Sequence, residues 1–502
     1  MNLERPDVLV IGGGSAGAAA AAFLAEAGRS VLLVDARAPE AAGARWANGV
    51  PGWCFDVARV ERPAPPERLR TGATYRALLC SADGSRRIEV PADPLIHLDM
   101  PSLVARLQAR ARAAGAEIRR ERAVGVEMDG RRVAAVRLSS FHDREERPDE
   151  RPEKRLDASP DERPEKRHNE RHQERFDERI CRPLLTVDAS GMAAVVRRSL
   201  PHLERFAAPL GPNDICVAEQ GQHVILDKDG AKAFLATHGA RPGEAVSFMG
   251  RAGGYSVVMA GVDESLEEVA VLAGSIPMGA WPDGRSLRRA FLAELPWIGA
   301  ARQSGGAQIP LGRPLLRPAA PGVAVLGDAA GHVFGLHGSG VGMGFLAARQ
   351  LADALGRASD PGDEVALHRY SSGFLRTYGG RLAAADVFRR FSQTLSADDI
   401  AALMEEGLVN HRSMSAGLMH APFEAKGLSL GSVLRSSVRL PLLFGRAAAM
   451  GARLLAAQRL FDHYPLGPDE AALARFQRAL GLLLRQPWGT DPPGSAPSAF
   501  DP

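Results

Sequence analysis

Cysteine is scarce in this chain. The four among 502 residues, Cys54, Cys80, Cys181 and Cys216, form no C-x-x-C pair and meet no histidine spacing suited to zinc. That argues against a disulfide framework and a structural metal, and fits a reducing cytoplasm. A dominant charge is also lacking. The formal net charge is +3, which offers no global case for nucleic acid as a partner. No run reaches the roughly eighteen apolar residues that a membrane-spanning helix needs. The first apolar run begins at Val8, leaving no room after Met1 for a signal peptide, so a cytoplasmic protein is expected.

What is present starts at that run. Val8 to Ile11 reads as a buried strand, followed by GGGSAG and an alanine-rich helix. Gly12, Gly14 and Gly17 supply the G-x-G-x-x-G spacing of a dinucleotide-binding turn. The first glycine permits the tight turn, the second a close approach to pyrophosphate, and the third close helix–strand packing. With Ser15 and Ala16 they begin a helix whose N-terminal N–H groups and dipole favour an anion. Val31 to Val34 reads as a second strand ending on Asp35, where a carboxylate accepts from a ribose hydroxyl pair and repels a 2′-phosphate. This half does not separate NAD from FAD.

The stretch VAVLGDAAGHVFGLHGSGVGMGFLAARQLADAL, residues 323–355, carries that decision. Val323 to Leu326 is a strand with Asp328 at its carboxyl end, placed to accept from a ribityl hydroxyl. Gly338, Gly340, Val341 and the glycines after them begin a helix whose N-terminus would face the N1/C2=O edge of an isoalloxazine ring. Negative charge gathers at that edge on reduction. No second glycine fingerprint occurs in strand-and-acid context, so no separate nicotinamide-nucleotide domain is expected.

Together GGGSAG with Asp35, TVDASG at 186–191 and GDAAG with its glycine-rich helix start resemble the FAD-dependent oxidoreductases of the para-hydroxybenzoate hydroxylase fold. The order and spacing are most similar to the geranylgeranyl reductase group. The resemblance implies an α/β protein: a Rossmann-like FAD-binding domain of the GR2 type, an inserted antiparallel substrate sheet and a C-terminal helical region. It implies FAD held by Gly12, Gly14, Gly17 and Asp35 at the ADP half and by Asp328, Gly340 and Val341 at the flavin half. Arg45 falls over the ring system and Val124 at a backbone contact to adenine. Met100 and Gly335 stand where many relatives have arginine and proline, and only Gly254-Tyr255-Ser256-Val257 answers to the group's substrate motif. The implied reaction is hydride transfer to or from a carbon–carbon bond of an apolar molecule, with NAD(P)H or a reduced partner protein as donor. The alternatives are monooxygenation through a flavin C4a-hydroperoxide and a non-catalytic flavin-binding scaffold.

Along the chain, residues 1–200 and 306–378 read as the FAD-binding domain, 201–305 as the sheet domain, 379–485 as helical and 486–502 as a frayed tail. Residues 143–179 are a mixed-charge, proline-broken insertion in which DERPEKR occurs twice; it is read as a disordered loop extension. It separates strand-like runs at Val133–Phe141 and Leu184–Val187. Helices are expected over Leu98–Ile118, with Gly115 as C-cap, and over Met192–Leu200. The runs ICVAEQ, HVILD, AVSFMG, YSVVMAGV and VAVLAGSI predict an antiparallel sheet. His332 and His337 are the candidates for proton transfer, since histidine titrates near neutrality. Cys54, Trp46, Trp53 and Tyr255 are candidates to approach the ring or line an apolar cavity. Residues 440–461, apolar with Arg446, Arg453 and Arg459, read as a helix packed on the body or lying on a membrane surface.

Overall fold

The computed structural model describes residues 3–69, 76–90, 95–140, 178–279, 281–356, 358–424 and 428–484. Most of the charged insertion, with its repeat, and the tail 486–502 lie outside these. The first sheet has nine strands. Its centre is five parallel strands in the order Glu117–Asp129, Val31–Asp35, Val8–Ile11, Leu185–Asp188 and Val323–Val325. Val8–Ile11 and Val31–Val34 are buried throughout, which is why they read as unbroken apolar runs: helices cover both faces of such a sheet. One of those helices, Ser15–Glu26, buries every residue from Gly17 to Ala25. Its alanines let it lie between Met100–Ala113 and Val341–Leu355.

The second sheet has seven strands: Ile298–Pro310, Ile215–Ile225, Glu268–Ser275, Ser256–Val262, Ala245–Met249, Ala77–Cys80 and Arg87–Val90. Neighbours are antiparallel except Ala245–Met249 with Ala77–Cys80. Two of its strands therefore come from the N-terminal part of the chain, and Ile298–Pro310 carries it past residue 305. ICVAEQ and HVILD are one strand, Ile215–Ile225, irregular only near His223.

Three local expectations change. Over 192–200 there are two short 3-10 turns, Gly191–Ala193 and Arg197–Ser199, instead of a helix. The buried Asp188 carboxylate accepts from Val196 N (3.0 Å) and Arg197 N (2.8 Å), bending this segment back onto the strand end. Over 98–118 the helix is only Met100–Ala113. Asp99 ends a strand and caps the helix by accepting from Ser102 N at 2.9 Å, and Gly115 turns the chain at φ +95° into the next strand. The strand Glu178–Cys181 begins inside the expected insertion, 143–179, and pairs with Arg132–Ser140, adding a strand between the two runs the insertion was expected to join.

The helical region comprises Gly380–Ser392, Ala397–Glu405, His411–Leu418, Leu430–Arg439, Pro441–Asp462 and Glu470–Leu484. Pro441–Asp462 packs on Gly380–Ser392 so closely that a Cβ on Gly380 would lie 2.9 Å from the Gln458 carbonyl oxygen. A buried ionic cluster ties this region to the second sheet. Arg389, fully buried, bonds Asp386 (2.5 Å) and Asp214 (2.8 Å), and Arg390 bonds both as well. Burial raises the Asp386 carboxyl, but Arg390 and Arg389 outweigh it and hold it at about 2. Losing one partner would leave a buried charge uncompensated, at a cost of about 3–5 kcal/mol.

Candidate active site

The glycine turn is shaped by its neighbours. Gly12 sits at φ +106°, where a Cβ would come within 2.3 Å of the Ala189 carbonyl oxygen; a Cβ on Gly17 would meet the Gly12 oxygen at 1.9 Å. Gly14 is less confined, a Cβ there meeting the Gly43 Cα at 3.4 Å, and it lines the cavity described below. Asp35 accepts from Gly13 N (2.7 Å) and Arg37 N (2.8 Å). From the neighbouring helix the Gln108 amide donates to the Gly13 and Pro39 carbonyls, both at 3.0 Å, fixing the loop that presents Asp35. The helix Ser15–Glu26 starts at Gly14 with no side-chain cap and no acid in its first turn. Its first N–H groups are thus left for a ligand.

The second helix start repeats this arrangement. Val341–Leu355 begins at Gly340, again without a side-chain cap or an acid in its first turn. A Cβ on Gly340 would touch Asp328 Oδ1 at 3.0 Å. Burial raises the Asp328 carboxyl to about 6. Gly338, at φ +68°, closes the loop in which Phe334 pairs with Ser339.

Both helix starts open into one cavity of about 1840 Å³, lined by Gly12, Gly14, Ser15, Ala16, Asp35, Asp328, Gly338, Gly340 and Val341. It continues between the second sheet and the helices, past Trp46, Tyr255 and Met259 on one side and Phe388, Leu403, Met450 and Leu455 on the other. Ordinary ligand pockets hold roughly 300–1,000 Å³. Two uncapped helix starts, with a carboxylate beside each, fit the pyrophosphate, ribose and ribityl groups of FAD.

The other expected residues are placed as follows. Arg45 is exposed and does not line the cavity, although Ala44 and Trp46 do. Val124 is exposed at a bulge: Ala123 pairs with Leu138 and Gly125 with Arg137, leaving Val124 outside the register, next to the cavity-lining Ala123. Its peptide groups are spared the ladder on that side. Cys54 is buried against Gly342, and burial outweighs the nearby Arg381 to push its thiol up to about 12, so it packs as a small hydrophobe. Trp53 donates from Nε1 to the Met419 carbonyl at 2.8 Å and stacks on Tyr378.

The histidines divide. His332 is wholly buried, with neither ring nitrogen hydrogen-bonded and its ring 4.3 Å from that of Phe374. Burial pushes it down to about 3. It lines no part of the cavity. His337 does, and burial holds it near 4. Its Nδ1 lies 3.4 Å from Nε2 of His420, whose ring stacks 4.3 Å from that of Phe334. Burial, then His337 and Arg381, keep His420 neutral. Sequence reading missed His420, which is 83 residues away in a turn at φ +52°; no local signal marks it.

Residues 7–80 match the family of FAD dependent oxidoreductases. That domain, at the N-terminal end of the chain, contains the glycine turn and Asp35. Over 188 residues it is 28% identical to the digeranylgeranylglycerophospholipid reductase of Sulfolobus acidocaldarius, a match covering 36% of this chain and 40% of that relative's length. It also shares its fold with a geranylgeranyl bacteriochlorophyll reductase-like protein from Thermoplasma acidophilum: TM-score 0.63, 16% identity, 89% of this chain and 100% of that one. The flavin-dependent brominase Bmp2 has the same fold at TM-score 0.58 and 13% identity, over 87% of this chain and 98% of that one. Among the described residues no helix is long and apolar enough to cross a membrane.

Proposed function

We propose that this FAD-dependent oxidoreductase acts on a long apolar organic molecule and transfers hydride to or from one of its carbon–carbon bonds. The observation that carries this reading is the single cavity joining the two helix starts to a chamber walled by aliphatic and aromatic side chains. The name of the curated relative supports it. FAD, when bound, supplies a two-electron carrier. Gly12, Gly14, Ser15, Ala16 and Gly17 hold the pyrophosphate, Asp35 the ribose, the Val124 backbone the adenine, and Asp328, Gly338, Gly340 and Val341 the ribityl and flavin half.

His337, neutral at working pH, exchanges a proton with the substrate at Nε2 while His420 fixes its ring through Nδ1. Arg45 and His332 have no part in this arrangement. The chamber walls exclude water from the reacting carbon. Electrons arrive from NAD(P)H bound transiently or from a reduced partner protein.

The test is an absorption spectrum of the purified protein, followed by anaerobic reduction with dithionite and addition of a geranylgeranyl compound. Flavin bands that bleach and then return anaerobically with a saturated product support the reading. Return only in air, with oxygen incorporated into the product, would convert it to hydroxylation. Absence of flavin bands after reconstitution with FAD would overturn it.

A further inference from the structure

The helix Leu430–Arg439 is turned inside out for a water-facing element. It buries Ser432 and Ser436, with the Ser436 hydroxyl donating to the Ser432 carbonyl at 2.7 Å. It exposes Leu430 (82%), Leu434 (65%) and Val438 (80%), and Leu442, at the start of the next helix, is 85% exposed. Those three positions, four residues apart, form one stripe. A water-facing helix normally presents the opposite pattern, and a contiguous apolar patch of this kind marks a contact surface.

Two further observations identify what covers it. The helix Leu430–Arg439 carries two arginines, Arg435 and Arg439, and no acidic residue. Arg435 and Arg439 remain more than half exposed while sharing the single buried carboxylate of Glu406, so positive charge is left beside the stripe. The cavity also reaches the surface here: Pro422, Glu424 and Leu428 are exposed and line it, and Val433 and Phe444 continue its wall inward. Apolar side chains flanked by arginine suit an anionic lipid surface, into which such a helix sinks about 5–10 Å.

We infer that Leu430, Leu434, Val438 and Leu442 dock the enzyme on an anionic bilayer, with the cavity mouth at Leu428 facing the lipid so that an apolar substrate enters without crossing water. The route rests on the function proposed above; the docking itself does not.

The test is flotation of the FAD-loaded protein with phosphatidylcholine vesicles, with and without phosphatidylglycerol. The protein is expected to float with the anionic vesicles, less so as salt rises. The double variant Leu434→Glu, Val438→Glu should partition at least about tenfold more weakly, with unchanged flavin content and dithionite reduction. Leu442→Gln, the most exposed position, is the milder second variant should the double change lower the melting temperature; it should weaken flotation in the same direction. Wild-type protein that stays with the aqueous phase, or variants that float as well as wild type, would overturn the inference. So would a wild-type dimer by light scattering that the double variant dissociates, without vesicle binding. Flavin content reads the proposed function separately, so failure of one does not mimic failure of the other.

Discussion

Asp328 is a carboxylate that burial holds at about 6, poised beside a helix start. Hydroxyl donors stabilise its ionised form, so loading of FAD should release a proton there. Affinity for FAD, read by quenching of its fluorescence, should therefore weaken as pH falls through about 6 in wild type. Asp328→Asn should show a flat profile, and Asp328→Ala should bind at least about tenfold more weakly, from hydrogen bonds to a charged group worth about 1.5–3 kcal/mol. His332 and His337, held near 3 and near 4, bear on stability instead. Below the ordinary value of 6.5 the unfolded chain takes up protons that these buried rings refuse. Their contribution is complete above that pH and is lost as pH falls toward 4, by up to about 1.4 kcal/mol per pH unit for each ring. Thermal melts between pH 7.5 and 5 should show the decline. Because the ring nitrogens of His332 make no hydrogen bond, His332→Phe should be neutral or stabilising, with a shallower slope and retained turnover; loss of turnover with flavin still bound would return His332 to the catalytic site.

At the scale of elements, the dinucleotide turn tolerates almost no addition. Gly17→Ala would press a methyl carbon against the Gly12 oxygen, and a loss of about 1–3 kcal/mol with diminished flavin retention is expected from denaturant titration and the flavin-to-protein absorbance ratio. This element was legible in the sequence because the spacing that marks it, strand, glycines, helix and acid, lies within about thirty residues, even though the contact that confines Gly12 comes from Ala189. Where distant groups decide, legibility ends. The helix expected over 192–200 yields to a carboxylate on Asp188. The strands Ala77–Cys80 and Arg87–Val90 carry no mark of the sheet they join, which is otherwise formed from residues beyond 215. His420 meets His337 only through the return of the helical region. The bulge that frees Val124 depends on how its strand registers with Arg132–Ser140, which composition does not encode.

For the whole molecule, Ser139 and Glu178 are paired neighbours, so the segment between them spans a gap that a two-residue turn closes. Replacing residues 140–177 by Asn-Gly should leave the fold and flavin content intact and raise stability by on the order of 1–2 kcal/mol through the shorter loop. A loss of flavin or of cooperative melting would show that the segment does more than connect. The cavity itself was beyond sequence reading, since it exists only where the glycine turns, the second sheet and the helices enclose one space.

The ion cluster of Arg389, Asp386 and Asp214 has a consequence for how such an enzyme diversifies. The roof of the chamber is bolted to its floor by directional bonds at several places, this cluster, Gly254 N to the Leu395 carbonyl (2.8 Å) and Arg86 to Glu405 (3.0 Å) among them, so no single lining side chain has to keep the two together. Point mutations along those walls can alter which molecules fit while the architecture stays put. An ancestor built this way explores new substrates one residue at a time, without first surrendering its fold.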